Sequence, residues 1–300
     1  MRVVQQTTIA KPVSLTGVGI HSGVPCRVTL RPESASRGIS FRRVAQGSAP
    51  ASKAVTAQIK NISTTRLNTG LENDDGVSVG TIEHLMAALS LAGVDNLIVD
   101  IDGPELPALD GSAGPYLAAI EGVGLKTLGS AREAIKIMAP IELRDGERLL
   151  RVDPFDGRII DLTIDFPDAA IGVQRIVVDL ANSVDVNQIG AARTFCQFHE
   201  VEQMRAAGLG LGGSLENAVI VDGGVIMNEE GLRHPQEFAY HKTLDLIGDL
   251  ALAGAPIIGK ITAKRPGHDL NTRFVRRILE DRTVFERVVA SAGAAALATV

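Results

Sequence analysis

The run His241-Lys-Thr-Leu-Asp-Leu-Ile-Gly-Asp-Leu250 sets chemistry-bearing residues at every fourth position of an otherwise apolar stretch. At about 3.6 residues per turn, His241, Asp245 and Asp249 fall along one side of a helix, with an imidazole and a carboxylate one turn apart. Zinc accepts neutral imidazole nitrogen and carboxylate oxygen, and a catalytic zinc site takes three protein ligands and keeps a fourth position for water. Two ligands on one helix therefore need a third from elsewhere. Thr81-Ile-Glu-His-Leu-Met-Ala-Ala-Leu89 offers it, a second helical run carrying the pair Glu83-His84. Taken alone, His-x3-Asp is more often an ordinary i,i+4 pair on a helix surface.

An internal echo ties the two runs together. His84 to Gly93, followed by strand-like Asn96 to Asp102, can be laid over Asp245 to Gly254, followed by strand-like Ile257 to Thr262. Each reads as helix, glycine C-cap and buried strand, and His84 and Asp245 each stand nine residues before the glycine. Two halves built on one plan would each bring a ligand to a shared ion. Chance likeness of Ala/Leu-rich helices is the competing explanation.

The elements that must position these residues follow from local pattern. Gln5 to Ile9, Val13 to Leu15 and Cys26 to Leu30 alternate as antiparallel strands. Polar residues 45–53 and the acidic turn Glu72 to Gly76 read as loops. Thr81 is the expected N-cap of a helix running to Leu91, and a second helix is expected from Ala113 to Gly122. A linker is expected from Gly124 to Arg132. Beyond it, strands are predicted at Ala134–Ile141, Glu147–Val152, Ile159–Ile164 and Gln174–Asp179, then helices and strands around Val219 and Ile258. Runs of strands broken by paired helices predict an α+β fold rather than a doubly wound parallel sheet. The Ala-rich tail from Ser291 to Thr299 is expected to fray.

Three hundred residues suit two domains of roughly 150 each. A 45% hydrophobic and 22% charged composition is that of a soluble globular chain whose core, without Trp, rests on Leu, Ile, Val and Ala. A net charge of -5 argues against nucleic acid as a partner. No signal-peptide core and no membrane-length apolar run is present, so a cytoplasmic protein without stable membrane insertion is expected. Cys26 and Cys196 lack Cys-x-x-Cys spacing and are expected to stay reduced. Gly208-Leu-Gly-Leu-Gly-Gly213 has neither dinucleotide nor P-loop spacing and reads as a turn or channel lining.

Six segments, Thr81-Ile-Glu-His-Leu85, Leu109-Asp-Gly-Ser112, Ala192-Arg-Thr-Phe195, His241-Lys-Thr-Leu-Asp245, Ile247-Gly-Asp249 and Gly267-His268, carry a resemblance across nearly the whole chain. In order and spacing they resemble the UDP-3-O-acyl-N-acetylglucosamine deacetylases, zinc amidases of lipid A biosynthesis. The resemblance implies two similar α+β domains, 1–126 and 127–300, each a sheet with paired helices, packed helix face to helix face. It also implies an acyl-chain insert near 194–214. One catalytic Zn2+ would be held by His84, His241 and Asp245, with Fe2+ compatible with the same ligands.

Amide hydrolysis needs a polarised carbonyl and a carboxylate that takes the proton of the attacking water. Glu83, beside a ligand without being one, is the candidate base. His268 resembles the family's cationic His, which protonates the leaving amine or steadies the oxyanion; Asp249 would hold it charged and Thr194 would add a hydroxyl donor. Lys242 matches a position near the substrate phosphates. His21 and Phe166 resemble positions near the nucleotide, Phe166 stacking on uracil. Phe195, Phe198, Val201, Gly210 and Ser214 are candidates for substrate contact, the last four lining a slot for the acyl chain. Plainer roles exist for each: helix-dipole compensation for Glu83, an N-cap for Thr194, a solvated charge for Lys242 and core packing for the slot. His199 and His234 have no ligand partner at useful spacing. A UDP-linked acylated glucosamine is the expected substrate of a monomeric enzyme. The alternatives are a zinc amidase for another acetylated sugar and a non-catalytic binding protein; the latter has no use for a base beside a metal.

Overall fold

The computed structural model describes residues 3–44 and 54–291. The polar stretch 45–53 and the tail from 292 onward lie outside the described residues. In chain order the first part comprises β1 (Gln5–Ile9), β2 (Val13–Val18), β3 (Pro25–Pro32), β4 (Ile39–Arg43), β5 (Val55–Thr56), β6 (Ile62–Thr64), β7 (Gly70–Glu72), β8 (Ser78–Val79), α1 (Glu83–Ala92), β9 (Leu97–Ile101) and α2 (Gly114–Val123). A five-stranded sheet runs β2-β3-β9-β4-β5, with β9 antiparallel to β3 and parallel to β4. Period-two alternation decides which face is covered: Cys26, Val28 and Leu30 are buried on β3 while their neighbours Pro25 and Arg27 are exposed.

The second part comprises β10 (Leu125–Ala131), β11 (Glu133–Ile137), β12 (Ile141–Asp145), β13 (Arg148–Asp153), β14 (Arg158–Asp165), β15 (Val173–Asp179), α3 (Ser183–Ala191), β16 (Phe195–Gln197), α4 (Phe198–Ala206), β17 (Val219–Asp222), β18 (Val225–Ile226), α5 (Glu237–Leu250), β19 (Ile257–Lys264), α6 (His268–Glu280) and β20 (Phe285–Val289). In its seven-stranded sheet β19 is central, antiparallel to β13 and parallel to β14 and β11. The architecture is α+β, with strands in sheets and helices layered on them.

Helix α5 lies between the layers. All of its residues except Lys242 are buried, the pattern of a helix covered on every side. It packs against α1 from the first part and α6 from the second. Gly248 permits the α1 contact, since a Cβ there would lie 2.1 Å from the backbone oxygen of Glu83. The helix-to-strand echo is present in the backbone: Gly93 and Gly254 both take left-handed cap conformations, at φ 74° and 78°. Most of the buried apolar side chains of both sheets and of all three of these helices form one continuous core, with Ala134, Ile258 and Ala290 in a small separate cluster.

Two local expectations are corrected. Residues 124–132 are not a free linker: Leu125–Ala131 is strand β10, antiparallel to β1. The edge groups of β1 find their partners there, which unpaired strand edges require. Thr81 is not the N-cap of α1, which starts at Glu83 behind Ile82 and runs one residue past Leu91. Thr81 instead takes a left-handed backbone, φ 55°, and its hydroxyl donates to buried Glu105 at 2.6 Å. The left-handed backbone at Thr81 and this charge-assisted bond to Glu105 hold the residue outside the cap position, which Ile82 fills.

Candidate active site

The α1–α5 crossing brings His84, on the first turn of α1, beside His241 and Asp245 of α5. Nε2 of His241 is 3.3 Å and Nε2 of His84 3.6 Å from Oδ1 of Asp245, and the two imidazole rings stand edge to face at 5.1 Å. One donor atom from each residue lies within 4.8 Å of the others, and all three residues are buried. Ligands about 2.0–2.1 Å from a tetrahedral ion stand about 3.3 Å apart, so this donor set fits a divalent cation with little movement. Protonation agrees. Burial pushes the His241 imidazole down to about 3, leaving it neutral with a free lone pair. The carbonyl of Ala192 can only accept, so Nδ1 of His241 donates to it at 3.2 Å and Nε2 faces the other donors. Burial works against ionisation of Asp245, yet the Lys242 ammonium paired with it holds its carboxyl well below the usual range. Lys242 is ion-paired to the second oxygen of Asp245 and is not a solvated surface charge.

Glu83 points to the same centre without joining the donor set. It is 3% exposed, accepts from the Thr69 backbone N–H at 2.9 Å, and burial raises its pKa despite the opposing charges of His268 and His84. His268 opens α6, where the helix dipole disfavours a cation. Burial also works against its charge, but the Asp249 carboxylate, 2.9 Å from Nδ1, pushes the imidazole up to about 9. Asp249 is itself held in place: Thr69 Oγ1 donates to one oxygen at 2.6 Å and Asn271 Nδ2 to the other at 2.8 Å. Thr69 therefore bridges Glu83 and the Asp249–His268 pair. Sequence reasoning missed Thr69 and Asn271, because neither stands in a motif and both reach the site only through tertiary contact. Gly248 was legible in principle, as glycine inside a helix costs about 1 kcal/mol and calls for a packing reason.

A cavity of about 340 Å3 opens from this centre, lined by Glu83, His84, His21 and Thr194 and, further out, by the segment after β16. Phe195, Phe198, Val201, Gly210 and Ser214 all line it. Phe198 starts α4 and is 48% exposed, an apolar ring at the cavity rather than in the core. Thr194 is not an N-cap. It joins α3 to β16, with its N–H donating to Gly111 and its carbonyl accepting from Val219. The preceding Arg193 anchors this segment through a buried ion pair with Glu237 at 2.9 Å. His21 sits in a tight turn whose N–H groups donate to Glu105, and its Nδ1 is buried without a partner among the described residues. Phe166 does not line the cavity; it packs edge to face on Phe195 at 5.5 Å, which in turn meets His241 at 6.0 Å. His199 is exposed, and His234 accepts from the Gln236 N–H.

A protein-family model described as UDP-3-O-acyl N-acetylglycosamine deacetylase matches residues 6–280. The UDP-3-O-acyl-N-acetylglucosamine deacetylase of Anaeromyxobacter sp. (strain Fw109-5) is 44% identical over 276 residues, 92% of this chain and 89% of that protein. The protein of the same name from Anaeromyxobacter dehalogenans (strain 2CP-C) is 43% identical over 294 residues, 97% of this chain and 94% of the other. That of Neisseria meningitidis serogroup C / serotype 2a is 41% identical over 286 residues, covering 94% and 92%.

Proposed function

The chain belongs to the UDP-3-O-acyl-N-acetylglucosamine deacetylase family, a family of metal-dependent deacetylases, and from that premise we propose how its residues divide the reaction. The reaction is hydrolysis of the N-acetyl group of UDP-3-O-acyl-N-acetylglucosamine to the free amine and acetate, a step of lipid A biosynthesis. His84, His241 and Asp245 would hold one Zn2+, with Fe2+ compatible with the same donors; such an ion, when bound, would supply Lewis acidity toward a water and the acetamide carbonyl.

Glu83 takes the proton of the attacking water. Its burial makes the carboxylate a stronger base than an exposed one, and the Thr69 N–H fixes its direction. As the new C–O bond forms, negative charge collects on the former carbonyl oxygen, where the Thr194 hydroxyl and the His268 imidazolium stabilise it. The C–N bond then breaks and the amine leaves with a proton supplied by His268, which Asp249 keeps charged at neutral pH. Lys242, half-buried against Asp245, holds that ligand ionised and lies where substrate phosphates would be met. His21 and Phe166 are assigned to the nucleotide end, Phe166 as the ring that stacks on uracil. The insert near 194–214 takes the acyl chain along Phe198, Val201, Gly210 and Ser214. The observation that carries this reading is one buried cluster holding three metal-type donors and an unligated carboxylate, with a largely apolar cavity leading away from it.

Division into domains 1–126 and 127–300 is supported by the two sheets and by α1 and α5 meeting between them, with the boundary falling inside β10. All these groups come from one chain, consistent with a monomer. Two free cysteines, Cys26 and Cys196, suit the reducing cytoplasm. No helix among the described residues is long and apolar enough to cross a membrane. The decisive measurement is kcat/KM for acylated and non-acylated UDP-N-acetylglucosamine. At up to about 0.8 kcal/mol per buried methylene, loss of the acyl group should lower kcat/KM by orders of magnitude. Equal values would reject the acyl assignment and favour an amidase for acetylated sugars in general.

A further inference from the structure

A second cavity, of about 410 Å3, shares no lining residue with the catalytic one. It lies between the two sheets, beside the last turns of α1 and α5, with Met86, Leu89, Ile247 and Leu250 as buried apolar walls. Arg158, the first residue of β14, points into it.

Arg158 is nine-tenths buried, yet among the described residues the Ser90 hydroxyl, 3.4 Å from Nη2, is the one hydrogen-bond partner of its guanidinium. Nη1 is buried with no hydrogen-bond partner among the described residues. The acidic residues on the same wall are engaged elsewhere. Asp95 takes a bidentate pair from Arg132 at 2.7 to 3.0 Å, and Glu133 is paired with Arg287 at 3.3 Å. Arg37 adds a further guanidinium at the rim. A buried charge without a counter-charge among the described residues is expensive. Burial, with Arg132 adding to it, pushes Arg158 down to about 10, so it is still a cation at neutral pH. Its backbone is locked in the sheet, opposite Gly259 and accepting from Leu180, so the side chain cannot swing out to water by a local strand movement.

We propose that this cavity binds a small organic anion whose carboxylate or phosphate group pairs with Arg158 and the Ser90 hydroxyl, its apolar part lying on Met86, Leu89, Ile247 and Leu250. A guanidinium fork is suited to bidentate pairing with either head group. The four apolar side chains favour a ligand with a short hydrocarbon portion over a bare ion.

The test is isothermal titration of the metal-loaded enzyme at constant ionic strength with two probes, inorganic phosphate and hexanoate. Each is run on the wild type, Arg158→Met and Arg158→Lys. Binding at the catalytic cavity persists in all three proteins, so the signal is the Arg158-dependent part. At least one probe should bind the wild type with a dissociation constant at least tenfold tighter than in Arg158→Met, while deacetylation without added anion stays within twofold. The tighter probe identifies the head group. Arg158→Lys keeps a cation without the planar fork and should bind with intermediate affinity, which serves if the Met variant does not fold. No binding of either probe to the wild type, or equal binding in wild type and variants, would overturn the proposal.

Discussion

Glu83 and His84 are chain neighbours with separable tasks, and paired substitutions separate them. Glu83→Gln keeps the shape and removes the proton acceptor, so turnover should fall by roughly 10²–10⁴-fold. Elemental analysis should still find one metal per chain. His84→Ala removes a donor from the buried set, and bound metal should fall at least tenfold; a full equivalent retained there would dismiss His84 as a ligand. His268 governs the alkaline side of the pH profile. Activity needs Glu83 ionised, above its raised pKa, and His268 protonated, below about 9. The rate should therefore decline as pH rises through about 9. Asp249→Asn removes the carboxylate that sustains the imidazolium, so the alkaline limb should move to lower pH by more than one unit. An unmoved limb would assign that ionisation to another group.

Between elements, the site depends on how closely α1 and α5 approach. Gly248→Ala would set a methyl 2.1 Å from the Glu83 carbonyl, and the helices must part. Overpacking of this kind costs about 1–3 kcal/mol and here displaces two of the three metal donors, so urea unfolding and metal content should both fall. Gly122→Ala on α2 is the matched control. A Cβ there meets nothing within 4 Å, and alanine should stabilise the helix by about 0.5–1 kcal/mol. The cavity proposed to take the acyl chain is lined in part by α4, which buries none of its residues. Gly210 is a poor place to narrow it, because φ of +68° strains any side chain; Val201→Trp adds bulk from a regular helix. That variant should shrink the preference for acylated over non-acylated substrate, read as the ratio of kcat/KM values.

For the molecule as a whole, the site sets a pH dependence of stability. The folded-state pKa of His268 lies above its ordinary value near 6.5, so its contribution is full below about 6.5 and is lost as pH rises through about 9. Glu83, raised by burial, acts in the same direction at lower pH, since the folded state holds its proton longer than the unfolded chain does. The melting temperature of the metal-free enzyme should therefore decrease between pH 7 and pH 10. Asp249→Asn should flatten that decrease, and an identical slope in the variant would place the linkage elsewhere.

Much of this was legible along the chain because helices carry local geometry. The i,i+4 spacing of His241 and Asp245, the glycine caps at Gly93 and Gly254, and the alternation of β3 depend on neighbours within a few residues, and periodicity records them. The six motifs extended that reading to the family. What lay beyond it depends on residues far apart in sequence. Thr69, bonded to Glu83, reaches Asp249 across 180 positions, Thr81 turned from the helix end to Glu105, and Leu125–Ala131 is a strand because it pairs with β1. Phe166 meets Phe195 edge to face across 29 positions, a contact that no local spacing records. Arg158 reads as an ordinary start to a strand, and only the packing of two sheets around α1 and α5 makes it a buried cation without a counter-charge among the described residues. Local spacing determined which residue types could do the chemistry; long-range burial and hydrogen bonding decided their protonation, their partners and the cavities they face.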